Sequence, residues 1–123
     1  MNMTEHDRLT IYGQVPSKSN GYRIVQLGGH STLIRSDALV KYANSFYLQM
    51  GSYRDLHIQG FFELHADVYF TSMSHDLDNS LKVILDCLQT GGAIKNDNRC
   101  TRIVARKFID KANPRVELMI VEL

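Results

Sequence analysis

The stretch "SHDLDNSLKVILDCLQT", residues 74–90, sets Asp76 and Asp78 one residue apart, with Asn79 beside them and Lys82 one turn further on. Carboxylates that close repel one another unless a cation or a proton lies between them. Two readings follow. The acids decorate the solvated start of a helix, where negative charge favours the helix dipole, or they hold a metal ion. Asp78, Lys82 and Asp86 fall at i, i+4 and i+8, one stripe of that helix. A surface Asp78–Lys82 pair alone would contribute only about 0.3–0.5 kcal/mol.

A third acid, Asp97, stands in the polar turn "KNDNR" that follows the Gly91-Gly92 break. Three hard oxygen ligands with an amine nearby suit magnesium rather than zinc. A magnesium site beside a basic surface would support phosphodiester hydrolysis, by activating water and stabilising the leaving oxygen. Such a surface is present. Lys95, Arg99, Arg102, Arg106, Lys107, Lys111 and Arg115 face only Asp97 and Asp110 over 95–115, although the whole chain carries a net charge of +1. That local excess attracts phosphate, and it also reads as a solvated strand face.

Other chemistries find no support. There is no GxxxxGK[ST] loop. His6, His30, His57, His65 and His75 make no HxxxH or HExxH pairing, and Cys87 and Cys100 have no CxxC spacing. Cys87 falls on the apolar side of the helix, as a buried free thiol does. No run of about 18 apolar residues exists to span a membrane. The N-terminal residues lack a basic start and apolar stretch, so secretion is not expected and a reducing cytoplasm fits.

The elements that must position these residues are legible in the pattern. A length of 123 residues makes one domain. Alternation predicts a strand over 8–15, two short strands about Gly28-Gly29, and the clearest strand over 61–71. Ser36 is an N-cap for a helix over 37–50, and Leu77, Leu81, Leu85 and Leu88 mark a second helix ending at Gly91-Gly92. Strands follow over 100–109 and 115–123, separated by "DKANP". The expectation is a single compact α+β domain, a mostly antiparallel or mixed sheet with two packed helices.

At these residues the chain resembles the RusA family of Holliday junction resolvases. The resemblance rests on the ordered set Asp76-Leu77-Asp78-Asn79, Lys82 and Asp86, then Asp97 within "GGAIKNDNRC". Lys107 fits the lysine that ends the family's following strand, and Asn20 in "PSKSNGYR" fits the asparagine of its N-terminal loop. Lys18 departs from the proline or glycine of many members, and "KNDN" is less acidic than the common double-aspartate turn. The resemblance implies one RusA-like endonuclease domain over 1–123 and a magnesium-dependent, structure-selective endonuclease, with manganese as a substitute. It implies a homodimer making paired nicks in a four-way DNA junction. Asp76, Asp78 and Asp97 would be metal ligands, and Lys82 would neutralise charge on the scissile phosphate. Lys18, Asn20, Arg99, Arg102 and Lys107 would contact DNA. The competing expectations are a non-catalytic branched-DNA-binding protein on the same scaffold and a small metal-dependent phosphohydrolase acting on a nucleotide.

Overall fold

Period-two alternation over Phe62–Phe70 becomes the central strand of a mixed sheet, with buried and half-buried residues alternating without a break. The computed structural model describes residues 3–16 and 22–123, and of 22–27 and 30–35 the backbone alone. In chain order the elements are β1 (Thr4–Glu5), β2 (Leu9–Tyr12), β3 (Tyr22–Leu27), β4 (His30–Arg35), α1 (Asp37–Gln49), β5 (Phe62–Phe70), α2 (Leu77–Thr90), β6 (Cys100–Ile109) and β7 (Arg115–Glu122). Short 3-10 turns occupy Gly51–Asp55 and Asp97–Arg99.

The main sheet runs β1-β7-β5-β6, with β2 sharing the outer edge of β7. β5 pairs antiparallel with β7 and parallel with β6. The parallel pair requires a crossover, and α2 supplies it. β3 and β4 form a separate hairpin, closed by Gly28 and Gly29 at φ +56° and +85°. Those positive angles suit the type I′ turn that a two-residue hairpin favours. The predicted strand over 8–15 stops at Tyr12, because Gly13 turns the chain at φ +113°. The two-residue β1, which carries no alternation, is absent from the sequence reading.

Ser36 caps α1, its Oγ accepting from the Leu39 N–H at 3.3 Å. Leu39, Tyr42 and Phe46 of α1 and Val83, Ile84, Cys87 and Leu88 of α2 bury against one face of the sheet. Phe62, Leu64, Val68, Phe70, Leu118 and Ile120 meet them from the strands. Each fully buried side chain of this size contributes about 1.5–3 kcal/mol. Among the described residues no helix covers the opposite sheet face, which carries Glu63, His65, Asp67 and Tyr69. The domain is therefore α+β with a mixed sheet and two packed helices. No helix among the described residues is long and apolar enough to cross a membrane.

Candidate metal and phosphate site at the start of the second helix

Asp76 is the N-cap residue of α2, in extended backbone, yet its carboxylate accepts no capping hydrogen bond from the helix. The residue is instead fixed through its backbone. Ser80, 1% exposed, donates its hydroxyl to the Asp76 carbonyl at 2.9 Å. The Asn79 amide reaches the Asp76 carboxylate at 3.4 Å, and the Asn79 N–H donates to the Asp78 carboxylate at 2.9 Å. Asp76, Asp78 and Lys82 are all exposed. None of the three forms an ion pair among the described residues.

Asp97 goes elsewhere. Its N–H donates to the Gln89 side chain at 2.9 Å, and Gln89 lies one residue before the end of α2. The chain between them is fixed by the Ile58–Ile94 bridge, with the Ile58 N–H donating to Ala93 at 2.9 Å. Gln89 stands 13 residues beyond Asp76, which is about 20 Å of helix at 1.5 Å per residue. Within one chain the fold therefore sets Asp97 apart from Asp76 and Asp78. The cause is topological: β6 is parallel to β5, so α2 must run back and deliver Asp97 to the opposite end of the sheet. Among the described residues no three acidic, histidine or cysteine side chains gather into a metal cage.

The basic segment divides in two. Arg106 binds Asp67 through two hydrogen bonds of 2.9 Å, and this carboxylate raises the guanidinium's pKa above its ordinary value. Arg115 is held at 2.8 Å by Glu117 and 2.9 Å by Asp110, which raise its pKa likewise. Arg102 lies 3.7 Å from Glu63 but keeps 63% of its side chain exposed. Arg99 stacks over the exposed Phe61 ring at 5.4 Å. Lys95 and Lys111 are exposed. Lys107, expected at the DNA surface, points inward and donates to the carbonyls of Met73 and His75. Burial raises the pKa of the Cys100 thiol, at the start of β6. Lys18 and Asn20 lie outside the described residues.

Three features of the site have no part in the sequence reading: the buried Ser80 hydroxyl, the inward Lys107, and the paired ladder on the open sheet face. The ladder did leave a signal. Glu63 and Asp67 are four apart on β5, Arg102 and Arg106 four apart on β6, and the parallel register sets each acid opposite its arginine.

Asp76 and Asp78 are thus exposed carboxylates at a helix start, without an ion pair among the described residues, on a domain that also carries exposed cations. The chain belongs to the RusA family: the model of endodeoxyribonuclease RusA matches residues 16–121 of its 123. It is thus an endodeoxyribonuclease of a family that resolves Holliday junctions. Among curated proteins none matches the chain.

Proposed function

We propose that this chain is a magnesium-dependent, structure-selective endonuclease that works as a homodimer and makes paired symmetric nicks in four-way DNA junctions. The catalytic unit is a single domain over residues 1–123. The observation that carries the reading is the pair Asp76 and Asp78, both exposed and without an ion pair among the described residues, with the Asp76 carbonyl held by Ser80. Mg²⁺ takes one or two protein carboxylates and fills its remaining positions with water and phosphate oxygens, so the pair fits that ion. Mn²⁺ shares the preference for carboxylate and water ligands. When bound, the metal would supply charge neutralisation at the phosphate and an activated water.

The residues of the chain do the rest. Asp76 and Asp78 would hold the cation, and the Ser80 hydroxyl and Asn79 amide keep them oriented. Lys82, one turn along α2 and free of ion pairs among the described residues, adds positive charge where the phosphate becomes more negative. Arg99, Arg102, Lys95 and Lys111 track the backbone of the DNA arms, while Arg106 and Arg115 remain tied to their carboxylates.

Asp97 enters from a second copy. A two-fold dimer presents every surface twice, so one protomer's Asp97 end can meet the other's Asp76 end, and doing so builds two equivalent sites. A junction has two symmetry-related strands to cut, and two such sites match them.

The test is a labelled four-way junction incubated with Mg²⁺, beside linear duplex and free nucleotide. Paired symmetric nicks in the junction alone are expected. Junction binding without cleavage at any Mg²⁺ or Mn²⁺ concentration would favour the binding-only alternative, and hydrolysis of free nucleotide would point to a phosphohydrolase.

A further inference from the structure

Asp76 reaches the site on the loop 71–76, and a residue of the neighbouring strand holds that loop from beneath. Lys107 lies opposite Val68 on the helix-facing side of β6 and is half-buried. Its Nζ donates to the Met73 carbonyl at 2.8 Å and to the His75 carbonyl. The ammonium sits 5.6 Å from the centre of the Phe70 ring, and the His75 imidazole stacks on the same ring at 5.3 Å. The loop is anchored at its start as well, where the Thr71 N–H donates to the Gln14 side chain at 3.0 Å. At its end Ser80 takes the Asp76 carbonyl.

An ammonium has three N–H donors and no acceptor. Two of them here serve carbonyls that come one and three residues before Asp76, so at most one remains for a phosphate. We propose that Lys107 is a positioning residue: a cross-strand clamp that sets the loop, and through it the Asp76 carboxylate, rather than a contact to DNA. This rests on the reading of Asp76 and Asp78 as metal ligands. Supports one shell behind a metal typically change metal affinity about 10–100-fold when removed.

Lys107→Met keeps the stem and removes the donors. Lys107→Arg restores donors, and Lys107→Gln replaces Lys107→Met if the latter does not fold. Three properties are measured on the metal-free full chain: Mn²⁺ binding by the paramagnetic signal of free Mn²⁺, amide exchange of a peptide covering 71–76, and the salt slope of junction binding. Lys107→Met should weaken Mn²⁺ binding about 10–100-fold, speed exchange over the loop and leave the salt slope unchanged. Lys107→Arg should recover part of the Mn²⁺ affinity. Wild-type Mn²⁺ affinity and loop exchange in Lys107→Met would overturn the clamp. So would a salt slope reduced by about 0.9 with an undisturbed loop, the mark of one lost phosphate contact. Failure of the parent protein to bind Mn²⁺ would overturn the metal reading and this proposal with it. That outcome is distinguishable because it precedes any substitution.

Discussion

Asp67, within β5, and Asp76, at the start of α2, are treated oppositely by the fold. Asp67, with 14% of its side chain exposed, is neutralised by Arg106 at 2.9 Å and approached by Arg8 at 3.8 Å. The same ladder continues through Glu117 and Arg115 to Asp110. Asp76 and Asp78 are exposed and meet no described cation, although their loop and helix are tied down by Lys107, Ser80 and Asn79. In one region charge is cancelled and serves the sheet. In the other the backbone is fixed while the charge is left open, which is the preparation a ligand site needs. On the proposed reading, that difference separates structural acids from metal-holding ones more clearly than their number does.

The sharpest way to break that contrast is to remove charge from each side. Asp78→Asn should abolish cleavage and leave the melting temperature unchanged or slightly higher, because it relieves repulsion between Asp76 and Asp78. Asp67→Asn should do the reverse, lowering the melting temperature through the orphaned Arg106 and Arg8 while cleavage continues. A melting temperature that fell markedly in Asp78→Asn would make that aspartate a structural cap.

Lys82 belongs to the open side of the comparison. Lys82→Ala should bind junction DNA almost normally and cut it about 10²–10³ times more slowly in single-turnover assays at saturating protein, matching about 2.7–4 kcal/mol of lost charge stabilisation. A rate near that of the parent would reduce Lys82 to a surface partner contributing a few tenths of a kcal/mol. The smallest effect concerns the cations of β6. Junction affinity should fall with salt, and Arg102→Ala should reduce the slope by about 0.9, the contribution of one phosphate. Arg106→Ala should leave the slope nearly unchanged, since its fork is already filled by Asp67. Equal effects from the two arginines would erase the distinction between a cation held in a two-bonded fork and one that is loosely paired and largely exposed.

Both helices, the hairpin about Gly28-Gly29 and the strands from Phe62 onward were legible because their signals are local: period, caps and turn residues. The Ser36 cap and the end of α2 at Thr90 fall where those signals put them. The proximity of Asp76, Asp78 and Lys82 was legible because they fall within the first two turns of one helix. Their relation to Asp97 was not. It depends on whether β6 lies parallel or antiparallel to β5, and hydrophobic alternation is the same for both. The inward hydrogen bonds of Lys107 were hidden for a related reason, because a strand residue's face follows from register, and a lysine on the inner face looks in sequence like any surface lysine. The sum of charge over 95–115 likewise overstated the free surface, since the partners of Arg106 and Arg115 come from β5 and β7.

The central claim is that each active site draws Asp76 and Asp78 from one copy and Asp97 from the other. Co-expressed Asp78→Asn and Asp97→Asn chains test it most directly. Each variant alone should be inactive. A mixed dimer carries one site with both defects and one with none, so mixtures should regain cleavage, as single nicks rather than paired ones. Were the three aspartates to act within one chain, every site in the mixed dimer would hold a defect. A mixture as inactive as either variant alone, with mixed dimers verified by differential tags, would contradict the account.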